Sequence, residues 1–266
     1  MGECLPVIPP LIAFDLDDTL APSKSPVDRR MLDVLARLLD TASVAVISGG
    51  NFEQFDVQLV SRLDEAGVSE EALERLHLLP TCGTRYERRS GGAWITVYRE
   101  NLTAAERDAA LTALREEAER LELWEAEPWG AILEDRGSQV TFSALGQRAP
   151  VPAKQRWDPD GAKKNALRAA VAARLPGLEV RSGGSTSVDI TRRGIDKAYG
   201  MRKLAEHTGI GLDEMLFVGD RLDPEGNDYP VRALGVACRE VTDWEDTARF
   251  LEELLASEKN RRSGVR

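Results

Sequence analysis

The chain has 266 residues, of which 42% are apolar, so it can bury the core of one large domain or of two modest ones. Its 45 acidic and 35 basic residues give a formal net charge of −10. That charge disfavours nucleic acid as a partner, because phosphate backbones attract basic surfaces. The sequence contains no apolar run of about 18 residues or more, so we expect no membrane span and no membrane partner.

The first 14 residues lack the basic start of a signal peptide and are interrupted by prolines. The three cysteines, Cys4, Cys82 and Cys238, are widely scattered. This spacing is typical of reduced thiols rather than of a disulfide framework or a metal site. We therefore expect a cytoplasmic protein.

The stretch LIAFDLDDTL at positions 11–20 predicts a short buried strand followed at once by Asp15 and Asp17. Two carboxylates one residue apart concentrate negative charge, which a divalent cation would relieve, and Mg²⁺ fits carboxylate oxygens. In such a site Asp15 could attack a phosphorus atom while Asp17, on the same side of the backbone, moves the proton. The alternative interpretation is an acidic turn after a core strand.

The next segments alternate helices and strands, as in a parallel sheet covered on both faces. Apolar spacing predicts helices over 28–39, 52–63 and 70–76. Between them, SVAVI at 43–47 predicts a second buried strand that ends in Ser48 and Gly49, and a short strand is expected over 78–80.

From about Tyr86 to about Ile190 the pattern differs. A hairpin through 90–92, a charged helix over 103–123, two strands joined near Gly137, a helix over 160–174 and two further strands indicate an antiparallel sheet with helices on one face. We therefore predict that a core domain, residues 1–86 and 191–266, contains an inserted α+β domain at 87–190.

After the insertion the first pattern resumes. A helix that contains Lys197 precedes the apolar strand MLFVG, which ends in Asp220, with Asn227 and Asp228 close behind. The ends of parallel strands lie on one edge of a sheet, where ligands bind. Ser48, the following glycine amides and Lys197 could hold a phosphoryl group, and Asp220 with Asn227 or Asp228 could complete an oxygen shell around Mg²⁺. Alternatively, Ser48 caps a helix, Lys197 is a solvated charge and Asp220 forms a turn.

The four stretches DLDDT, VISGG, GIDK and FVGDRLDPEGND resemble, in this order, the motifs of the haloacid dehalogenase superfamily of phosphotransferases. The insertion between the second and third motifs resembles that superfamily's type IIB cap. Within that superfamily, the stretch GDRLDPEGNDY after the insertion and the segments EDRGSQVTFSALGQ, KKNALR and GGSTSVDI are similar to eukaryotic-type phosphomannomutases. The resemblance implies an α/β protein with a Rossmann-like parallel sheet core and an α+β cap that determines substrate specificity.

The resemblance also implies roles for individual residues. Asp15 would be the phosphorylated nucleophile and Asp17 the general acid/base. Ser48, Gly49 and Lys197 would bind phosphate. The metal ligands would come from Asp15, Asp17, Asp220, Asn227 and Asp228, and the cap would bind the sugar phosphate through Arg136, Arg148, Arg168, Ser187 and Asp189.

One position departs from the family pattern. Where the family has an arginine after the glycine of its SPIGR-like segment, this chain has Gln147, with Arg148 one place later. Side chains alternate in direction along a strand, so Arg148 replaces that arginine only if the segment bends.

The leading hypothesis is therefore Mg²⁺-dependent phosphoryl transfer through an aspartyl phosphate, interconverting hexose 6-phosphate and hexose 1-phosphate as a phosphomannomutase does. The second hypothesis is a sugar-phosphate phosphatase with the same site. A third, a sugar-phosphate sensor without activity, leaves the pair of acids unexplained. We expect a small phosphosugar as the partner, with a homodimer as a further possibility.

Overall fold

The structure is a computed structural model that describes residues 7–183 and 185–263. Cys4 lies outside these residues. The chain divides into two compact units. The first comprises the chain before Glu100 and after Ile195, and the second spans Glu100–Ile195.

The first unit contains a seven-stranded sheet in the order β11-β10-β1-β2-β3-β4-β5. The first five strands in that order are parallel, and β4 and β5 are antiparallel to their neighbours. The strands are β1 (Leu11–Phe14), β2 (Ser43–Ile47), β3 (Leu76–Leu79), β4 (Arg85–Ser90), β5 (Ala93–Arg99), β10 (Met215–Gly219) and β11 (Ala237–Glu240).

Helices cover both faces of this sheet. They are α1 (Arg29–Leu39), α2 (Phe52–Phe55), α3 (Ser61–Glu65), α4 (Glu70–Leu73), α8 (Lys197–Thr208), α9 (Tyr229–Ala233) and α10 (Trp244–Ser263). Alternate residues of each strand enter opposite cores: Ile12 and Phe14 pack with α1 and α10, whereas Leu11 and Ala13 pack with α8 and α9. The predicted parallel α/β core is confirmed in this unit.

The helix predicted over 52–63 is not one regular helix. Between α2 and α3, residues Asp56–Val60 form a π-helical segment. The predicted helix over 70–76 is also shorter, because Leu76 and Leu78 are buried as part of β3.

The β4–β5 hairpin belongs to the first unit, although the sequence pattern had suggested that the insertion begins at residue 87. Tyr86 of β4 is buried, and its hydroxyl lies 2.6 Å from His77 Nδ1 of β3. Tyr98 of β5 donates to the Gly83 carbonyl at 2.6 Å. These contacts and the β3–β4 pairing make the hairpin the edge of the core sheet, so the second unit begins at Glu100.

The second unit has a four-stranded antiparallel sheet in the order β6-β7-β9-β8. The strands are β6 (Leu133–Asp135), β7 (Gln139–Ser143), β8 (Leu178–Ser182) and β9 (Ser187–Arg192), and the helices are α5 (Ala104–Arg120), α6 (Val151–Trp157) and α7 (Ala162–Arg174). Leu114 of α5 and Leu167 of α7 pack against Val140, Phe142 and Ile190 on one face of the sheet. Throughout the described residues, no helix combines the length and apolar character needed to cross a membrane.

Candidate active site

The centre of the candidate site is a buried lysine between two aspartates. Lys197 Nζ lies 2.7 Å from Asp15 Oδ2 and 2.5 Å from Asp228 Oδ1. The side chains of Lys197 and Asp228 are 1% and 0% exposed. A third acid, Asp220, completes the group, because oxygens of Asp15, Asp220 and Asp228 all lie within 4.8 Å of one another.

The central strands and α8 bring these residues together. Asp15 directly follows β1, and its amide donates to the Val218 carbonyl of β10 at 3.0 Å, so the strand pairing continues up to the nucleophile candidate. Lys197 is the first residue of α8, whose N-cap Asp196 accepts from the Tyr199 amide at 2.8 Å. A Cβ on Gly200 would lie 3.0 Å from the carbonyl oxygen of Cys82, which lies in the loop between β3 and β4. Glycine at position 200 therefore allows α8 to approach that loop closely.

The loop after β10 folds back so that Asp228 reaches the end of the strand. The Arg221 amide donates to Asp228 Oδ2 at 3.0 Å, and the Asp228 amide donates to the Arg221 carbonyl at 3.1 Å. A Cβ on Gly219 would lie 2.7 Å from Asp228 Cγ, so only glycine leaves room for the carboxylate. Buried Thr19 also donates to Asp220 Oδ1 at 3.2 Å, which ties the loop to the DLDDT segment.

This group contains more negative charge than its burial favours. Burial raises the pKa of Asp15 to about 7; the Lys197 charge opposes that shift and the Asp228 charge adds to it. The pKa of Asp220 is also raised, by burial and then by Asp228. Burial alone would lower the pKa of Lys197, but contact with Asp15 and Asp228 raises it. Three acids and one ammonium are therefore suited to a further cation.

The donor set fits a divalent cation that prefers oxygen. Asp15, Asp220 and Asp228 all offer carboxylate oxygens. Both oxygens of Asp15 and of Asp228 also contact a donor: Lys197 with each, the Leu16 amide with Asp15 and the Arg221 amide with Asp228. For two other residues the role of metal ligand stays a prediction. The Asn227 side chain is exposed, and the Asp17 carboxylate is not part of the three-acid group.

Asp17 is held by neutral donors instead. Its Oδ1 accepts from the Lys24 amide at 2.7 Å and from Gln58 Nε2 at 3.2 Å, and its Oδ2 accepts from Gln54 Nε2 at 3.0 Å. The two glutamines lie in α2 and in the π-helical segment that follows. These bonds direct the Asp17 side chain toward that helix.

Ser48 follows β2, beside the end of β1. Its hydroxyl oxygen accepts from the Gly50 amide at 3.2 Å, so the hydroxyl proton can point to a ligand. A Cβ on Gly49 would meet no atom within 4 Å, which means that this part of the loop borders open space. Thr81 and Cys82, both at positive φ, donate from their amides to the Gly50 and Ser48 carbonyls at 2.9 Å and brace the loop.

In the second unit, the sheet face opposite α5 and α7 is polar. Thr141 donates to Asp189 Oδ1 at 2.7 Å, and the Ser143 and Ser187 hydroxyls are 3.4 Å apart. Arg136 donates to Glu134 at 2.8 Å. The structure thus places Ser187 and Asp189 on one face, where hydroxyl and carboxylate groups suit a polyhydroxylated ligand.

Gln147, rather than Arg148, joins this polar face. Gln147 Nε2 donates to Ser143 Oγ at 3.0 Å. Arg148 is exposed, and its guanidinium lies beside Gly130, where an added Cβ would be 3.4 Å from Nε. That Arg148 replaces the family arginine stays a prediction.

Arg168 belongs to α7, whose neighbouring residues Leu167 and Val171 pack against the apolar side of the sheet. The expected role of Arg168, binding a distal phosphate together with Arg136, stays a prediction.

The sequence reasoning missed three kinds of residue. Thr19 positions Asp220, Gln54 and Gln58 hold Asp17, and Lys154 of α6 lies next to Gln147, with its Nζ 3.4 Å from the Gln147 carbonyl oxygen. Glutamines at positions i and i+4 after the second strand were a usable signal. Lys154 had none, because α6 was not predicted.

Similarity to solved structures supports the fold. The IMP-nucleotidase of Plasmodium falciparum with bound IMP matches with a TM-score of 0.66 and 12% identity, covering 92% of this chain and 68% of that one. A haloacid dehalogenase-like hydrolase from Bacteroides thetaiotaomicron matches with a TM-score of 0.62 and 17% identity, covering 92% and 98%. The chain therefore shares the fold of that haloacid dehalogenase-like hydrolase, and the aspartates after β1 and β10 lie at one end of its parallel strands.

Sequence similarity then points to the phosphomannomutases among proteins with this fold. The model of the family "Eukaryotic phosphomannomutase" matches residues 129–257. The phosphomannomutase of Saccharomyces cerevisiae is 26% identical over 258 residues, which cover 92% of this chain and 94% of the yeast protein. The resemblance to eukaryotic phosphomannomutases is therefore confirmed.

Proposed function

We propose that the chain transfers a phosphoryl group from a sugar phosphate to Asp15 and then to an acceptor, as a phosphomannomutase-like enzyme. The observation that carries this proposal is the buried Asp15–Lys197–Asp228 group, with Asp220 beside it, directly after the central strand. A sensor would need a cation to attract phosphate, but it would not need a second acid held apart at Asp17.

In the first step, an Asp15 carboxylate oxygen attacks phosphorus. The bond between phosphorus and the sugar oxygen breaks, and that oxygen takes a proton from Asp17. In the second step, an acceptor hydroxyl returns a proton to Asp17 as its oxygen attacks the aspartyl phosphate, which releases the Asp15 carboxylate. Lys197 and the Ser48 hydroxyl stabilise the charge on the phosphoryl oxygens.

Mg²⁺, held by Asp15 and Asp220, would neutralise the charge of the acids and of the bound phosphate. Without that neutralisation the three acids would repel a phosphate dianion. Lys197 supplies one positive charge, which is already shared between Asp15 and Asp228.

For the second unit we propose the role of binding the sugar. Ser187 and Asp189 suit sugar hydroxyls, and Arg136 suits a distal phosphate. A cytoplasmic location and a homodimer stay predictions.

One observation favours the second candidate, a phosphatase. Two arginines of the polar face are each paired with a glutamate: Arg136 with Glu134 at 2.8 Å and Arg181 with Glu179 at 3.1 Å. With Gln147 in the position of an arginine, this face has little surplus charge to hold a second phosphate. Transfer of the phosphoryl group to water needs no bound bisphosphate, so it would not require additional positive charge on this face.

The test supplies the protein with Mg²⁺, mannose 1-phosphate and glucose 1,6-bisphosphate, and measures mannose 6-phosphate and free phosphate separately. A mutase makes mannose 6-phosphate faster than free phosphate, and a phosphatase does the reverse. Asp15→Asn should lower either activity by about a thousandfold or more, because an amide cannot form the acyl phosphate.

Asp33→Asn is the matched control, since Asp33 is an exposed aspartate of α1 paired only with Arg29. It should leave turnover unchanged. Near-normal activity of Asp15→Asn would exclude the aspartyl-phosphate mechanism.

A further inference from the structure

We propose that Gln54 and Gln58 are positioning residues that orient the Asp17 carboxylate for proton transfer; the inference rests on the proposed function. Each glutamine donates to a different oxygen of the same carboxylate: Gln54 to Oδ2 at 3.0 Å and Gln58 to Oδ1 at 3.2 Å. Both oxygens are thereby fixed, which sets the plane of the group as well as its place.

The glutamines are themselves fixed by further hydrogen bonds. Gln54 Nε2 also donates to Gln58 Oε1 at 2.7 Å, and Gln58 Nε2 donates to the Ser25 carbonyl at 2.9 Å. Gln58 is 2% exposed. With its oxygen facing Gln54, Gln58 can present only its NH₂ group to Asp17, so the network defines one orientation of both amides.

The backbone supports the same arrangement. Residues four apart on a helix share a face, so Gln54 and Gln58 both point toward the strand end. Gln58 lies in the π-helical segment Asp56–Val60, and such segments are frequent at functional sites.

The chemistry of the donors distinguishes positioning from simple charge pairing. A lysine or arginine in place of these glutamines would form an ion pair with Asp17. That ion pair would stabilise the charged carboxylate and oppose its protonation. Two neutral amides fix the direction of the group and leave its charge uncompensated. A carboxyl group held in this way can give a proton to the leaving sugar oxygen and take one back from the acceptor.

This role predicts a dependence on the leaving group. A sugar alkoxide needs a proton as its bond to phosphorus breaks, whereas 2,4-dinitrophenolate leaves without one. The ratio kcat/KM covers the steps up to the release of the leaving group. Loss of Asp17 orientation should therefore lower kcat/KM for a sugar phosphate and spare it for 2,4-dinitrophenyl phosphate.

The experiment uses the full chain with Gln54→Met, which keeps the side-chain volume and removes the amide. We expect kcat/KM for mannose 1-phosphate to fall about 10- to 100-fold, a part of the roughly hundred- to ten-thousandfold that a positioned acid contributes. For 2,4-dinitrophenyl phosphate we expect a change below about threefold. In an Asp17→Asn background, Gln54→Met should add no further loss.

Gln155→Met, the same substitution at an exposed glutamine of α6, is the matched control. It should leave kcat/KM unchanged for mannose 1-phosphate and for 2,4-dinitrophenyl phosphate. Gln54→Asn keeps the amide but shortens its reach, and it should show the same discrimination with a smaller loss. It serves as the second variant if Gln54→Met does not fold.

Equal losses for both substrates would mean that Gln54 only supports the fold, and no loss for either would mean that Asp17 needs no orientation; both results overturn the inference alone. Asp15→Asn is measured in the same series. If that variant stays active, the proposed function fails and the inference fails with it.

Discussion

Replacing Lys197 with methionine should destabilise the folded protein, and more strongly at high pH than at low pH. Lys197 is the buried cation that contacts both Asp15 and Asp228. Methionine retains the length and apolar stem of the side chain but removes the charge. The substitution therefore isolates the electrostatic part of the lysine's contribution.

The magnitude follows from burial. Removing one partner of a buried ion pair typically costs about 3–5 kcal/mol, because the remaining charge stays buried without compensation. Here the side chains of Lys197, Asp15 and Asp228 are 1%, 6% and 0% exposed, so solvent screens little of the interaction. We expect a loss in this range at pH 8.

The pH dependence comes from Asp15. Its pKa in the folded protein is about 7, above the ordinary value of 3.8, so its ionisation destabilises the fold as pH rises through this interval. Without Lys197 that pKa rises further. At pH 5 Asp15 is protonated in both proteins, so the further rise of its pKa has no effect there, whereas at pH 8 Asp15 is ionised in the wild type and the loss of Lys197 opposes that ionisation. Because the wild-type pKa lies about one unit below pH 8, raising it to 8 or beyond adds at most about 1.4 kcal/mol to the loss at pH 8.

Urea unfolding of wild type and variant at pH 5 and pH 8, without Mg²⁺, measures both quantities. Lys203→Met is the matched control on the same helix: Lys203 is partly exposed, its Nζ lies 5.5 Å from the ring centre of Tyr98, and its loss should cost less than about 1 kcal/mol. A loss below 1 kcal/mol for Lys197→Met, or the same loss at both pH values, would refute the reasoning.

Three further predictions concern the metal, a buried histidine and the second unit. Exhaustive chelation should abolish turnover and Mg²⁺ should restore it, and full activity after chelation would contradict the proposed role of Asp15 and Asp220. Burial, and next the Arg88 charge, lowers the pKa of His77 from 6.5 to about 4, so stability present above pH 6.5 is lost as pH falls toward 4. Between pH 7 and pH 5, the free energy of unfolding in urea should fall by about 2 kcal/mol less for His77→Gln than for wild type. Equal falls would exclude a contribution of His77 to the pH dependence of stability. Gln147→Arg should raise mannose 6-phosphate relative to free phosphate about tenfold, since a charge-assisted hydrogen bond is worth roughly 1.5–3 kcal/mol; an unchanged ratio would remove the argument from Gln147.

The core strands could be predicted from sequence because their burial is complete. Each residue of β1 is inaccessible to solvent, so the strand reads as an unbroken apolar run. Helix α1 was predictable for the complementary reason: its apolar residues repeat at helical spacing, and Asp28 caps its first turn. These elements place Asp15 and Ser48 at one edge of the sheet without any tertiary information.

The domain boundary could not be placed in the same way. The β4–β5 hairpin has charged and exposed residues, such as Arg88 and Ile95, and so its sequence resembles that of the second unit. What assigns it to the first unit is the pairing of His77 with Arg88 and the contact between Tyr86 and His77. Such contacts depend on register, which local sequence does not define for a strand with one exposed face.

Side-chain direction explains the other differences. The family resemblance made Arg168, and conditionally Arg148, candidate phosphate ligands; in the structure Arg148 lies beside Gly130, and Arg168 belongs to the helix on the apolar side of the sheet. The family resemblance placed Asp17 among the metal ligands, and an extended backbone would put it on the same side as Asp15. The amides of Gln54 and Gln58, more than 30 positions further along the chain, turn it elsewhere.

The separation of roles between the two units follows from where the charges lie. All members of the buried group, Asp15, Lys197, Asp220 and Asp228, come from the first unit, and their contacts with one another do not depend on Gln147. We therefore predict that a change at Gln147 leaves the proposed formation of an aspartyl phosphate intact and alters how firmly a phosphorylated acceptor is held. Because the two proposed activities share their first step, we expect substitutions on the polar face of the second unit to change the ratio of mannose 6-phosphate to free phosphate. Substitutions around Asp15 should instead change the rate of both activities together.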